Sequence, residues 1–381
     1  MRSGLKVGVN LLWCLPGAVG GSEQYLVRQL VGALALEPSV ELTLFTTAEF
    51  RDVHGTTLAG ARFVTAPIDG HRRAVRIAAE HTWLYARSRG LDLVQHGGGT
   101  APRLARHPYV LTLHDLQYRT FPQYFSPAKR RYLDAAIPGS ARRAELVTVP
   151  SEYVRGSAIR ELGLAPERVM VVPHGFEPDL LVTRTPADEL RARYALGDGP
   201  VVVFPAMSAP HKNHTFLVDL MREQWTDPSL RLVLIGGRGL AEEELGGAIA
   251  ASPDHVRRRI VRPGRVSDAD KNGLIAMAAA LVFPSTYEGF GAPLIEAMAL
   301  GTPFICSDAT CLPDVAGEAG IVVPLVPDAW GAALPDALAR HDELVAAGHR
   351  RVQAFTSERS GEALLAAWER VVGDRAVGHR R

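Results

Sequence analysis

The chain has 381 residues, 47% hydrophobic and 22% charged, which predicts about two folded domains of ~150 residues each and excludes a largely disordered protein. Three cysteines are too few for a disulfide framework, and no apolar run reaches the ~18 residues of a membrane span. The net charge is +1, but residues 1–150 hold 18 Lys and Arg against 11 Asp and Glu, so this half either meets an anionic partner or carries scattered solubility charge.

The first apolar run, Val7–Leu15, follows Arg2 and Lys6 and superficially resembles a signal peptide. Asn10 and Trp13 interrupt this run, and a glycine-rich turn follows it, so we interpret it as a first buried strand. Together with the sparse cysteines, this interpretation predicts a protein of the reducing cytoplasm.

Short apolar runs alternate with segments of helical periodicity along the whole chain. A first series of strands is predicted at Lys6–Leu12, Val40–Thr46, Arg62–Ala66, Leu91–Gln95, Tyr109–Leu113, Leu146–Val149 and Val169–Val172. Helical patterns between them are predicted at Glu23–Leu36, Arg73–Ser88, Pro127–Arg143 and Glu152–Leu162. A second series of strands is predicted at Val201–Phe204, Leu230–Ile235, Ala280–Phe283, Phe304–Ser307 and Gly320–Val323. Such alternation is typical of parallel sheets covered on both faces, so two doubly wound α/β domains are expected.

The segment Pro173–Pro200 separates the two series and is rich in Pro, Gly, Asp and Glu, which favours a domain link. Two doubly wound domains facing each other would leave a cleft at the carboxyl ends of their strands, where open α/β sheets bind ligands. Functional residues are therefore expected just after strands.

The most informative stretch is Pro284–Pro303, which follows the predicted strand Ala280–Phe283. Gly289 and Gly291 flank Phe290 and let the backbone approach a ligand closely. A helix is predicted to begin at Pro293 and to end just before Gly301, which suits the C′ position, and the amide groups and dipole at its start favour an anion such as a diphosphate. Glu288 and Glu296 flank this turn, and their carboxylates suit the hydroxyl groups of a sugar and of a ribose.

This Glu-x7-Glu string resembles the retaining nucleotide-sugar glycosyltransferases of family four, especially their mannosyltransferase-like members. Further motifs occur in the order of that family and extend the resemblance over nearly the whole chain: Gly20-Gly21-Ser22-Glu23, His114-Asp115-Leu116, Val149-Pro150-Ser151-Glu152, Val172-Pro173-His174-Gly175, His211-Lys212-Asn213 and Leu312-Pro313-Asp314. The resemblance implies the GT-B fold. It also implies an acceptor-binding domain over residues 1–172, a donor-binding domain over 173–355, and a last helix over 356–381 that crosses back onto the first domain.

The resemblance also implies roles for individual residues. It places the Gly20-Gly21 turn near the donor phosphates and the acceptor, and His114 beside the transferred sugar. Lys212 is implied as the cation that reaches the β-phosphate. The family often carries an Arg a few residues earlier, but here that stretch reads Ala206-Met207-Ser208, so either His211 substitutes or the backbone and Lys212 hold the phosphate.

The nucleobase is implied to lie near Val266, Asp268 and Lys271, and an Asp there favours guanine and hence a GDP donor. Two other interpretations of this segment stay open. Ser267 and Asp270 have the spacing of a helix capping box, and Asp268-Ala269-Asp270 spells the Asp-x-Asp pattern of metal-dependent transferases. Because that pattern does not follow an apolar strand and begins a predicted helix, we assign no metal and no cofactor.

The helix near Lys129, Arg130 and Arg131 either rests on anionic lipid headgroups or is a solvated basic helix.

Two alternatives to a transferase remain at this point, namely a nucleotide-dependent oxidoreductase and a catalytically inactive protein that binds sugar nucleotides. The turn Gly17–Gly21 is not Gly-x-Gly-x-x-Gly, which argues against the oxidoreductase. The leading expectation is a retaining, metal-independent hexosyltransferase that uses a nucleotide sugar, does not bind nucleic acid, and acts on a glycan, a lipid-linked acceptor or a small molecule.

Overall fold

The computed structural model describes residues 4–176 and 182–378. It divides into one unit formed by the chain up to Gly175 together with the segment from Phe355 onward, and a second unit, Phe176–Ala354. Within the described residues, each unit contains one fully parallel sheet covered by helices, so the predicted fold class is confirmed.

The first sheet has seven strands in the order β3-β2-β1-β4-β5-β6-β7 among the residues described. Its strands are β1 Lys6–Asn10, β2 Glu41–Thr46, β3 Arg62–Thr65, β4 Leu93–His96, β5 Tyr109–Thr112, β6 Leu146–Val149 and β7 Val169–Val171. The helices of its connections are α1 Gly21–Leu36, α2 Ala48–His54, α3 Arg73–His81, α4 Trp83–Arg87, α5 Gln117–Thr120, α6 Pro127–Arg143 and α7 Glu152–Leu162. The helix predicted over Arg73–Ser88 is broken at Thr82, whose φ of −114° departs from helical geometry.

The second sheet has six strands in the order β10-β9-β8-β11-β12-β13, again counting the described residues. Its strands are β8 Val201–Pro205, β9 Arg231–Ile235, β10 Ile260–Gly264, β11 Ala280–Phe283, β12 Phe304–Ser307 and β13 Ile321–Val323. Its helices are α8 Ala187–Arg193, α9 His214–Glu223, α10 Glu242–Ala250, α11 Asp254–Arg257, α12 Asp268–Ala276, α13 Ala292–Leu300, α14 Leu312–Ala316, α15 Pro327–Ala339 and α16 His341–Arg351. In this sheet the strand order reverses between β8 and β11, which is where open α/β sheets form their ligand crevice.

The last helix, α17 Ser357–Gly378, packs against α1 in the first unit. Two glycines allow close contact: a Cβ on Gly32 would lie 1.8 Å from the Ser357 carbonyl oxygen, and one on Gly361 would lie 2.3 Å from the Ala33 nitrogen. Trp368 is fully buried in the core of this unit, and its indole N–H donates to Gln95 Oε1 at 2.9 Å. The final helix is therefore an integral part of the first unit.

Candidate active site

The strand, glycine loop and helix predicted around residue 291 are present. α13 begins directly after Gly291, which has a φ of 91°, carries Pro293 in its first turn, and ends at Gly301 with a φ of 72°. The positive φ of Gly291 favours glycine, and a Cβ there would lie 2.6 Å from Leu312 Cδ2 and displace that side chain. The first amide groups of α13 therefore stand at the crevice between β8 and β11, where they favour an anion.

Glu288 lies in the loop before this helix and forms an ion pair with Lys212. Lys212 Nζ is 2.5 Å from Glu288 Oε1, with 18% and 11% of the two side chains exposed. The main chain of Glu288 is also fixed, because its N–H donates to Thr310 Oγ1 at 3.0 Å and its carbonyl accepts from the Cys311 thiol at 3.3 Å. Three loops, those after β8, β11 and β12, thus hold one carboxylate and one ammonium group in place.

Glu296 lies one turn into α13 and forms an ion pair with a second lysine. Lys271 Nζ on α12 is 3.1 Å from Glu296 Oε1, and Glu296 is buried. Val266 lies in the loop before α12, and Asp268 is exposed in the first turn of that helix. The structure therefore brings together Lys212 with Glu288 and Lys271 with Glu296, so that each acid of the Glu-x7-Glu string meets a cation.

His211 connects the loop after β8 to the loop after β11, since the Thr286 N–H donates to its carbonyl oxygen at 2.8 Å. Burial, reinforced by the charge of Lys212, lowers the pKa of the His211 imidazole to about 4. At this pKa the ring is neutral at pH 7, where it can form a hydrogen bond but carries no positive charge.

Asp270 does not complete the capping box. Ser267 caps α12 as predicted, its hydroxyl accepting from the Asp270 N–H at 3.1 Å. The Asp270 carboxylate instead accepts from Arg193, while Asp268 on the same helix is exposed. Within residues 4–176 and 182–378, no group of three or more His, Cys, Asp or Glu side chains is arranged to hold a metal ion.

His114, Gly20 and Gly21 belong to the first unit. His114 follows β5, and its Nε2 donates to the Gly97 carbonyl at 2.7 Å, because a carbonyl oxygen only accepts. Its ring lies between Trp13 and Tyr25, at centroid distances of 5.5 and 5.6 Å. Burial lowers the pKa of His114, so the imidazole is neutral and its Nδ1 is an acceptor.

The Gly20-Gly21 turn joins β1 to α1. Both glycines are exposed, and a Cβ at either position would meet no atom within 4 Å, so this turn borders open space. The buried Glu23 carboxylate secures the same loop by accepting from the Gly17 N–H and from His54 Nε2, each at 2.7 Å. The turn is thus accessible and held in a defined conformation.

A cavity of about 250 Å³ lies at the carboxyl ends of β8, β9 and β10. Its lining includes His214, two residues after Lys212, and Gly264, two residues before Val266. Within it, Glu242 accepts from the Ser208 hydroxyl and from Arg262 Nη2, each at 2.7 Å. The cavity therefore lies between the two loops that carry the predicted phosphate and base contacts.

Two family models match the chain. Residues 19–180 match the model described as Glycosyltransferase Family 4, and residues 199–340 match the one described as Glycosyl transferases group 1. The chain belongs to glycosyltransferase family 4. The resemblance predicted from the Glu-x7-Glu string is thereby confirmed, and the matched models give no support to an oxidoreductase.

Three similar proteins illustrate this membership. An O-antigen chain mannosyltransferase B from Escherichia coli is 29% identical over 80% of this chain and 82% of its own length. A D-inositol 3-phosphate glycosyltransferase from Jonesia denitrificans is 33% identical, over 54% of this chain and about half (52%) of the relative. The crystal structure of Anabaena Alr3699/HepE in complex with UDP-glucose has a TM-score of 0.74 at 20% identity, covering 95% of this chain and 98% of that one. This structural likeness shows the GT-B fold of the family.

In this glycosyltransferase, sequence reasoning missed Thr310 and Cys311, which fix the backbone of Glu288. Both residues follow the predicted strand Phe304–Ser307, and carboxyl ends of parallel strands meet at one sheet edge, so that rule would have identified them. Trp13 and Glu23 were likewise not assigned a site role.

In the described part of the chain, no helix is both long enough and apolar enough to cross a membrane.

Proposed function

We propose that this glycosyltransferase transfers a hexose from a nucleoside-diphosphate sugar to an acceptor hydroxyl, without a metal ion and with retention of the anomeric configuration. The observation that carries the proposal is the Lys212–Glu288 pair, 2.5 Å apart, on loops that flank the start of α13. An ammonium group and a helix N-terminus together suit a diphosphate, and a neighbouring carboxylate suits sugar hydroxyls.

In this proposal the diphosphate binds at Gly289, Phe290 and Gly291, where the backbone amides of the loop and of α13 point to it. Lys212 has three N–H donors, so it retains Glu288 and also reaches a β-phosphate oxygen. One charge-assisted hydrogen bond contributes ~1.5–3 kcal/mol, and this contact strengthens as the leaving group gains charge. His211 adds a neutral hydrogen bond at the same place.

The nucleoside lies toward α12. Glu296 receives the ribose hydroxyls, while Val266, Asp268 and Lys271 line the base. The Asp268 carboxylate, an acceptor only, matches the N–H edge of guanine and makes GDP the first candidate nucleotide. The cavity between the Lys212 and Val266 loops supports a nucleotide at this side of the sheet.

The acceptor binds the first unit near Gly20, Gly21 and His114. The transferred sugar presents a hydroxyl to His114 Nδ1, which is the unprotonated nitrogen because Nε2 donates to Gly97. His114 therefore orients the sugar as a hydrogen-bond acceptor and is not a proton donor at pH 7.

The reaction forms a bond between the acceptor oxygen and the anomeric carbon and breaks the bond from that carbon to the phosphate oxygen. Attack occurs on the face from which the phosphate departs, and the phosphate oxygen takes the acceptor proton. The protein holds the two partners and stabilises the charge that develops on the diphosphate. Lys212 and the start of α13 perform the second task.

Mannose is proposed as the hexose because the first relative is named a mannosyltransferase. The two relatives' names include an O-antigen chain and an inositol phosphate, so the proposed acceptor is a glycan, a lipid-linked glycan or a small molecule.

The three cysteines are buried and free, which supports a cytoplasmic reaction. Exposed Arg130 and Arg131 on α6 support peripheral contact with an anionic membrane, whereas Lys129 lies 4.8 Å above the Phe125 ring.

The proposal is tested with a thermal-shift panel of GDP, UDP, dTDP and ADP and their sugar conjugates, in the presence of EDTA. A nucleotide at ~100 times its Kd adds ~2.7 kcal/mol of stability, so the ranking identifies the base. The preferred conjugate is then incubated with candidate acceptors, and the anomeric coupling of the product is measured by NMR. Indifference to every nucleotide, activity that EDTA abolishes, or an inverted product would each refute the corresponding part.

A further inference from the structure

Asp270, on the buried side of α12, forms a side-chain hydrogen-bond cluster near the proposed donor site. Its carboxylate accepts from the Thr185 hydroxyl at 2.6 Å, from Arg193 Nη1 at 2.7 and 2.6 Å to the two oxygens, and from the Tyr194 hydroxyl at 2.7 Å. Its side chain is only 8% exposed. The Thr185 hydrogen bond, followed by those of Tyr194 and Arg193, lowers the pKa of Asp270 to about 2, so the group is ionised at any physiological pH.

These partners of the Asp270 carboxylate come from residues 183–194, which precede β8. Further contacts connect the same two segments: the Thr185 N–H donates to the Ala269 carbonyl at 3.1 Å, and Asn272 Nδ2 lies 3.5 Å from the Thr183 carbonyl. A Cβ on Gly273 would lie 2.4 Å from the Thr185 carbonyl oxygen, so the approach is close. α12 is thus fixed to this segment by contacts from Ala269, Asp270, Asn272 and Gly273.

The residues of α12 proposed to contact the nucleotide lie on a different side of the helix from Asp270. At 100° per residue, Asp268 lies about 200° from Asp270, on the other side of the helix, and about 60° from Lys271, on the same side. The burial agrees, because Asp268 is exposed and Asp270 is buried. Lys271 in turn reaches Glu296 of α13 at 3.1 Å. A rotation or shift of α12 would therefore move both proposed base contacts at once.

We propose that Asp270 is a positioning residue that sets nucleobase specificity: it fixes the rotation of α12, so that Asp268 and Lys271 face the base. This inference rests on the proposed function, and it adds that discrimination between bases depends on a carboxylate that touches no part of the donor. Asp270 acts through the helix, in the way that outer hydrogen-bond partners orient groups that contact a ligand.

The test compares the Kd of GDP and of UDP for the wild-type protein, Asp270→Asn and Tyr194→Phe, measured by calorimetry at pH 7.5. Asp270→Asn is expected to weaken binding of the preferred nucleotide at least about tenfold, since small displacements of contacting groups are costly. The same substitution is expected to weaken binding of the disfavoured nucleotide less, so the ratio of the two Kd values shrinks. Tyr194→Phe removes one hydrogen bond and leaves the charge pair, and it is expected to change the ratio in the same direction by about threefold.

Asp336→Asn is the matched control, because it makes the same substitution in an exposed pair, Arg340–Asp336, 3.2 Å apart. It should leave the ratio of Kd values unchanged. If Asp270→Asn does not fold, Tyr194→Phe and Thr185→Val carry the test. An unchanged ratio in the folded variants would overturn the inference alone, whereas a wild-type protein that binds none of GDP, UDP, dTDP and ADP would overturn the proposed function and this inference with it.

Discussion

Variants of the Lys212–Glu288 ion pair can separate its contribution to stability from its contribution to catalysis. Lys212→Met keeps the length of the apolar stem but removes the ammonium group 2.5 Å from Glu288 Oε1. The carboxylate, only 11% exposed, then loses this cation. We expect Lys212→Met to be less stable and nearly inactive, and Lys212→Met/Glu288→Gln to regain stability while remaining inactive.

The size of the effect follows from partial burial. Breaking a fully buried pair costs ~3–5 kcal/mol and an exposed pair contributes at most ~1 kcal/mol, so we expect a loss of about 2 kcal/mol in the free energy of unfolding. For a domain of this size that is a fall of about 4–8 °C in Tm. Replacing the carboxylate with the neutral amide in the double variant should restore at least about half of that loss.

Turnover should behave differently, because both side chains are proposed to contact the donor. Loss of a donor aimed at developing charge costs ~10²-fold or more in kcat, and the double variant should not recover it. The assays are calorimetric unfolding and sugar transfer to an identified acceptor. Arg340→Met/Glu343→Gln, in an exposed pair 2.7 Å apart, is the control. A double variant no more stable than Lys212→Met, or one with restored turnover, would refute the reasoning.

Three further predictions concern other parts of the molecule. Gly291→Ala should weaken nucleoside-diphosphate binding more than tenfold in calorimetry, because a left-handed φ of 91° costs ~1–2 kcal/mol for alanine and its Cβ meets Leu312. Gly361→Ala should destabilise the first unit by ~1–3 kcal/mol of overpacking, seen as faster amide exchange in α17 but not in unit 2. The pKa of Asp270 falls from 3.8 to about 2 on folding, so its stabilisation is complete above about pH 4 and is lost as the pH falls to 2. Asp270→Asn should therefore flatten the fall of the urea midpoint over that range, and an unchanged acid slope would contradict this.

The sequence was most informative where local signals agree with the fold. The strand Ala280–Phe283, Gly291 and Gly301 define a strand, turn and helix within one short stretch, and the structure has them within a residue of the predicted limits. The same holds for β6, β11 and β12, whose predicted and observed bounds coincide, because these fully buried strands are short and mainly apolar.

Edge elements were harder to predict. β10 was missed because it is an edge strand that contains Arg262 and Pro263 and is largely half-buried, so it has no apolar run. The Asp270 cluster was not predicted from the sequence for a different reason. Its partners are 76 to 85 residues away in the chain, and nothing local distinguishes a carboxylate that caps its own helix from one that is ion-paired at long range.

The same limit applies to the candidate site. The sequence indicated Glu288, Glu296, Lys212 and Lys271 as separate positions, but the pairing of each acid with one lysine depends on how the loops meet at the sheet edge. The roles assigned to these residues, to His114 and to the two domains stay predictions until donor binding is measured.

The position of α17 has a consequence for the order in which the two units can fold during synthesis. Unit 2 is a continuous segment, Phe176–Ala354, and is complete in sequence before α17 has been synthesised. The first unit must wait, since Trp368 and Leu364 complete the core beside Leu26 and Leu30 of α1. Until α17 has been synthesised, that apolar surface of α1 stays open to solvent and to chaperones, so the first unit closes after the second is complete in sequence.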